Sequence, residues 1–97
     1  MDIQKNVEGE KLTIAVNGRL DTLSAPQLEA ELKLDGVTEL IFDLSGLEYT
    51  SSAGLRVLLS AQKTMNRQGR MVVRGVQPAV KEVFDITGFS DIFTFDA

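Results

Sequence analysis

Residues 40–73, LIFDLSGLEYTSSAGLRVLLSAQKTMNRQGRMVV, contain the pattern that decides the fold of this 97-residue chain. Residues 40–44 form a short apolar run between turn residues, which is typical of a strand buried on both faces. From Ser52 to Arg67 the apolar residues recur at helical spacing and predict a helix, and residues 71–73 begin a second buried strand. Strand, helix and strand within about 35 residues predict a βαβ unit with parallel strands. The apolar positions of the helix are Leu55, Leu58, Leu59, Ala61 and Met65.

The residues before this unit predict a hairpin and a short helix. Apolar residues alternate with polar ones in the first 17 residues, which predicts strands at 2–7 and 11–17. The intervening Glu8-Gly9-Glu10 is a three-residue connection containing glycine, so the two strands are expected to form an antiparallel hairpin. Ser24 and Gln27 have the spacing of a capping box and predict a helix over 25–33, with Pro26 in its first turn.

The residues after the unit predict a last helix and an apolar tail. Pro78 marks the start of the helix and Gly88 its end. The tail has some strand character, and its phenylalanines are expected to pack inward; its apolar residues are Phe89, Ile92, Phe93 and Phe95. We therefore expect a single α/β domain over residues 1–97. It has a mixed sheet, made of the antiparallel hairpin and the parallel βαβ strands, with helices packed against one face.

Composition excludes several classes of function. The chain has 10 basic and 14 acidic residues and a net charge of −4, which argues against binding nucleic acid or an anionic membrane surface. It contains no Cys and no His, so it lacks disulfides, thiol catalysis and the commonest general base and metal ligand. No signal-peptide pattern or apolar run of about 20 residues occurs, and a cytoplasmic location is expected. The net charge also disfavours self-association, and we expect a monomer.

Motifs for catalysis are missing from the chain. No phosphate-binding loop, dinucleotide fingerprint or nucleophile elbow occurs, and the acidic residues do not have the spacing of metal ligands. Asp21 and Asp43 lie near strand ends, where turn-forming carboxylates are far more common than an acid–base pair. The sequence predicts no catalytic residue, no metal site and no cofactor, and we expect that the protein is not an enzyme.

Three hydroxyl residues in a row, Thr50, Ser51 and Ser52, precede the predicted long helix. Serine and threonine are preferred helix N-caps, but one cap needs only one hydroxyl. A helix N-terminus also stabilises anions, so a phosphoserine would be tolerated there without unfolding. Arg56 lies four residues beyond Ser52, where a cation opposes the helix dipole unless an anion is nearby. Capping and phosphorylation both remain open on this pattern.

Three blocks of the chain, taken together, resemble one known family. Residues 43–47 and 51–59 resemble the signature of STAS domains, specifically of bacterial anti-sigma factor antagonists. Gly18-Arg19-Leu20-Asp21 is similar to the Gly-x-Leu-Asp that follows the second strand in that family, and residues 77–81 and 84–88 are similar to its last-helix pattern. The blocks occur in the family's order and cover essentially the whole chain, which makes the resemblance specific.

The resemblance implies a partner-switching regulator. In that family the unphosphorylated antagonist binds an anti-sigma factor that is also an ATP-dependent serine kinase. Phosphorylation of the antagonist releases it, and a PP2C-type phosphatase restores it. The alternative within the resemblance is a scaffolding STAS subunit of a transport or multiprotein signalling assembly, which is not phosphorylated. A degenerate serine position would indicate that alternative, whereas this chain has a serine.

The family's pattern, Asp-Ser-Ser/Thr-Gly-Leu, places the modified serine two residues before the glycine. With Gly54 as that glycine, the resemblance implies phosphorylation of Ser52. Ser51 replaces the usual aspartate and is the second candidate, and Ala53 replaces a second hydroxyl residue. Asp21 matches the family's aspartate near this loop and is expected either to position the hydroxyl or to form a turn. The residues expected to support the site or contact the partner are Asp21, Thr50, Ser51, Ala53, Gly54 and Arg56.

Overall fold

The computed structural model describes residues 1–96 as one mixed sheet with helices on one face. The elements in chain order are β1 (Asp2–Glu8), β2 (Lys11–Leu20), α1 (Ala25–Ala30), β3 (Glu39–Asp43), β4 (Leu47–Thr50), α2 (Ser52–Gln68), β5 (Arg70–Arg74), α3 (Pro78–Thr87), a 3₁₀ turn (Phe89–Asp91) and β6 (Phe95–Asp96). The strand order is β1-β2-β3-β5-β6, and β4 pairs separately with the end of β2.

The pairing directions confirm the predicted mixed sheet. Strands β1 and β2 are antiparallel, and the pair Glu8–Lys11 closes the hairpin around a two-residue turn. Gly9 in that turn has φ 63°, a left-handed conformation that glycine adopts without steric cost. The pairs β2–β3, β3–β5 and β5–β6 are all parallel.

One face of the sheet is the core face. The register aligns Leu12 with Leu40 and Met71, and Ile14 with Phe42 and Val73, and all six side chains are buried. They form one hydrophobic cluster with residues of all three helices, among them Leu28, Leu58 and Phe84. The predicted apolar face of α2 is confirmed, because Leu55, Leu58, Ala61 and Met65 are buried and Leu59 is half-buried.

Strand β4 was not predicted, and β2 is three residues longer than predicted. The four residues of β4 pair with the end of β2 after a register shift between Gly18 and Arg19. The Gly18 N–H donates to the Gly46 carbonyl over 2.8 Å, with Gly18 at φ 97°. A four-residue strand whose partner lies almost thirty residues earlier leaves little local pattern to detect.

The predicted capping box at Ser24 is wrong. Ser24 has a helical backbone conformation and its side chain caps no helical N–H. Its hydroxyl instead accepts the Asp21 N–H and donates to the Arg19 carbonyl, each over 2.9 Å. Helix α1 also ends at Ala30 rather than residue 33, because the chain then turns to bring Leu34 into the core.

The carboxyl-terminal segment follows the prediction in part. Gly88 ends α3 with φ 80°, as expected for a helix C-terminus. Phe93 is buried and its ring centroid lies 5.6 Å from that of Phe84, whereas Phe89 and Phe95 are half-buried. Ile92 is exposed, so the tail is only partly packed inward. Over residues 1–96, no helix is both long enough and apolar enough to cross a membrane.

Candidate functional site

Ser51 and Ser52 lie where β4 passes into α2, and they have different environments. The Ser51 N–H donates to the Leu20 carbonyl over 2.8 Å, which holds the residue against the end of β2. Its backbone is extended, and its hydroxyl oxygen accepts the Gly54 N–H over 3.4 Å, so Ser51 is the N-cap of α2. Ser52 is the first helical residue and is exposed. The cap is therefore provided by Ser51, and the Ser52 hydroxyl faces solvent.

Gly54 and Thr50 support this turn from beneath. A Cβ added at Gly54 would lie 2.6 Å from Leu20 Cγ and 2.7 Å from Thr50 Oγ1, both far inside normal contact distance. Glycine therefore lets the first turn of α2 lie directly on β2. Thr50 is buried, and its hydroxyl donates to the Ser51 carbonyl over 3.2 Å. Both residues shape the site rather than offer a surface to a partner.

Asp21 stabilises the adjacent loop. It follows Leu20, which pairs with Thr50, so the β2–α1 loop lies beside the hydroxyl residues. Its Oδ1 accepts the N–H groups of Leu23 and Ser24, each over 3.0 Å. The Asp21 carboxyl accepts hydrogen bonds from the N–H and the hydroxyl of Ser24. These bonds, the one from the N–H most strongly, hold the pKa of the carboxyl below its usual value. Within residues 1–96 Asp21 forms no hydrogen bond to Ser51 or Ser52, and the geometry favours the turn-carboxylate interpretation.

A shallow groove of about 270 Å³ separates α1 from the start of α2. Its walls include Thr22 and Pro26 on one side and Ala53 and Arg56 on the other. Ala53 is half-buried and Arg56 is exposed. The structure thus brings two residues predicted from the α2 segment, Ala53 and Arg56, next to the loop that contains Asp21.

The sequence did not identify three surface residues in this region, Leu23, Arg19 and Tyr49, as candidate site residues. Leu23, at the tip of the β2–α1 loop, is 87% exposed, the highest exposure among large apolar side chains of the described residues. The Arg19 guanidinium lies 4.3 Å from the centre of the half-exposed Tyr49 ring, a cation–π contact. Leu23 was detectable as a lone leucine in a polar turn. The Arg19–Tyr49 pair was not, because it depends on the pairing of β4 with β2.

The cap assignment makes a prediction about two adjacent serines. Ser51→Ala is expected to lower the free energy of unfolding by about 1 kcal/mol, because it removes the N-cap hydroxyl. Ser52→Ala is expected to change it by less than about 0.5 kcal/mol, as exposed substitutions usually do. Urea unfolding of the two variants measures the difference. A larger loss for Ser52→Ala than for Ser51→Ala would contradict the assignment of the cap.

The site combines an exposed hydroxyl at a helix N-terminus, a nearby cation and an exposed apolar side chain. No group of three or more Asp, Glu, His or Cys side chains within residues 1–96 has the arrangement of a metal site. Such a surface suits binding to a protein and modification by one.

Comparison with known proteins identifies relatives over the full fold. The family model described as the STAS domain matches residues 2–97. BtrV of Bordetella bronchiseptica, named as a candidate anti-sigma factor antagonist, is 42% identical over 86 residues, covering 84% of this chain and 74% of BtrV. The anti-sigma-B factor antagonist of Staphylococcus aureus is 26% identical over 96 residues, covering 95% of this chain and 89% of that protein. The solved structure of Bacillus SpoIIAA in its unphosphorylated form superposes on this chain with a TM-score of 0.83 at 22% identity, covering 99% of this chain and 89% of SpoIIAA. The phosphorylated form of SpoIIAA is also among the similar solved structures.

Proposed function

Because the chain belongs to the STAS domain family, we propose that it acts as an anti-sigma factor antagonist controlled by phosphorylation of Ser52. In its unphosphorylated form it binds an anti-sigma factor serine kinase, and phosphorylation by that kinase releases it. One observation supports this proposal most directly: Ser52 is exposed at the start of α2, while its neighbour Ser51 provides the cap. An exposed hydroxyl that does not cap the helix can be modified without loss of the fold. The names of BtrV and of the Staphylococcus aureus relative support the same function.

The local electrostatics suit a phosphate at Ser52. A helix N-terminus favours a negative charge by about 0.3–1 kcal/mol. The first turn of α2 contains no acidic residue, and Ser51 takes the place of the aspartate that the family pattern often has. Arg56, one turn further along the helix, supplies a cation. A phosphoserine here is therefore expected to leave the antagonist folded.

The surface around Ser52 also suits a protein partner. The β2–α1 loop carries the exposed Leu23 and also contributes Thr22 to the groove beside Arg56. A kinase that covers both Ser52 and this loop would bury Leu23, and burial of that side chain would contribute binding energy. The protein then takes part as a ligand and a kinase substrate, with no reaction of its own, in the cytoplasm and as a monomer. A PP2C-type phosphatase returns it to the binding state.

The proposal is tested by incubating the chain with its cognate anti-sigma kinase and ATP and locating the phosphate by mass spectrometry. We expect one phosphate, on Ser52, which Ser52→Ala abolishes and Ser51→Ala retains. Phosphate on Ser51 would move the site by one residue and leave the switch intact. With a kinase shown to hydrolyse ATP, the absence of phosphate on both serines would contradict the switch. That result would favour the unphosphorylated scaffolding subunit.

A further inference from the structure

The charges of this chain are divided unevenly along the sequence. Residues 49–81 contain six of the ten basic residues and none of the fourteen acidic residues. The rest of the chain carries the other four basic residues and all of the acidic ones. Helix α2 lies entirely within the basic segment, so a protein that is acidic overall has one helix with only positive charges.

The cations of α2 lie on one line of its exposed face. Arg56, Lys63 and Arg67 are all exposed, and we refer to them as the basic stripe. At about 100° per residue they fall, together with Ser52, within about 60° around the helix axis. At about 1.5 Å per residue the line from Ser52 to Arg67 is about 22 Å long. The candidate phosphorylation site therefore lies in line with the stripe, about one helical turn before its first cation.

Folding stability does not account for the basic stripe. Within the described residues none of its three side chains forms an ion pair, whereas Lys81 pairs with Asp85 on α3. Lys63 and Arg67 are four residues apart on one helix face, a spacing at which like charges repel. Arg67 gains from the dipole at the end of α2, but Arg56 near its start does not.

We propose that the basic stripe docks an acidic surface of the anti-sigma kinase, beginning beside Ser52 and following α2; this rests on the proposed function. An acidic patch on a folded protein is local and matches a stripe of three cations. A nucleic-acid duplex or an anionic membrane extends further and meets the acidic residues that flank α2, such as the exposed Glu29 in the groove wall. A phosphate on Ser52 adds about −1.5 to −2 charges at one end of the stripe and weakens its attraction for an acidic partner.

The experiment compares two double variants that lose the same two positive charges. Lys63→Gln with Arg67→Gln shortens the stripe, and Lys5→Gln with Lys11→Gln removes two cations of the β1–β2 hairpin as the matched control. Association rate constants with the cognate anti-sigma kinase are measured by stopped-flow fluorescence at low and high salt. We expect the stripe variant to associate about tenfold more slowly at low salt, because charge complementarity accelerates encounter. The difference is expected to disappear at high salt, where the charges are screened. The control is expected to associate within about twofold of the wild type, because its two cations lie on the β1–β2 hairpin and not on α2.

Three results would overturn the inference. Equal slowing in both double variants would show that net charge, and not the stripe, sets the rate. Binding of a random-sequence DNA duplex that is lost in the stripe variant alone would assign the stripe to nucleic acid. Failure of the wild-type chain to bind the kinase at all would remove the proposed function as well, which distinguishes that failure from the first two.

Discussion

Leu58→Ala is expected to lower the free energy of unfolding by about 2–5 kcal/mol. Leu58 is 0% exposed on the face of α2 that packs on the sheet, in the same cluster as Leu40 and Phe42. Truncation removes buried methyl groups and leaves a cavity that the surrounding strands fill only partly. A domain of this size has a total stability of about 5–15 kcal/mol, so the loss would be a large fraction of it.

Leu59→Ala provides the matched control for this prediction. It deletes the same atoms from the next residue of α2, where the leucine is only half-buried. We expect a clearly smaller loss there, measured by urea unfolding of both variants under the same conditions. A loss under about 0.5 kcal/mol for Leu58→Ala, or an equal loss for the two, would show that a different face of α2 is buried.

The parts of the fold that the sequence predicted are those with a local period. The apolar spacing of α2 and the short apolar runs of β3 and β5 identify the βαβ unit, because each is long or apolar enough to leave its pattern in consecutive residues. Strand β4 has four residues, of which only Leu47 and Thr50 are buried, and its partner is the distant end of β2. A pairing of this kind depends on tertiary contacts that no local pattern contains.

The candidate site was predictable in position but not in the role of each hydroxyl. The row of three hydroxyl residues before an amphipathic helix marks a helix N-terminus, but the capping residue depends on where the helix begins. A shift of one residue exchanges the roles of Ser51 and Ser52. The extended backbone of Ser51, and the hydrogen bond that its hydroxyl oxygen accepts from the Gly54 N–H, identify Ser51 as the capping residue. Ser24 is a second case in which the sequence could not predict the role of a hydroxyl. The sequence predicted that this hydroxyl caps α1, but in the structure it accepts the Asp21 N–H within a tight turn.

A negative charge at residue 52 is expected to weaken binding to the cognate anti-sigma kinase by roughly 30-fold or more, both as phosphoserine and in Ser52→Asp. A charge that must be desolvated or that faces a like charge at an interface costs about 2–5 kcal/mol, and each 1.4 kcal/mol is about tenfold in affinity. The free antagonist is expected to keep its fold, because the start of α2 favours the charge. Ser52→Ala is expected to bind like the wild type. Isothermal titration of each variant with the kinase, together with its thermal unfolding midpoint, measures both effects.

Gln4→Glu is the control for charge alone. Gln4 is exposed on β1 and pairs with Ala15, on the sheet face opposite the helices, and the substitution adds the same single charge as Ser52→Asp. Equal weakening by the two variants would contradict a switch located at Ser52, and wild-type affinity in Ser52→Asp would contradict it directly.

The salt dependence of binding separates this effect from the one proposed for the basic stripe. Attraction along exposed cations is screened at high ionic strength, whereas the cost of burying a charge beneath the partner is screened much less, so most of the loss in Ser52→Asp should persist there.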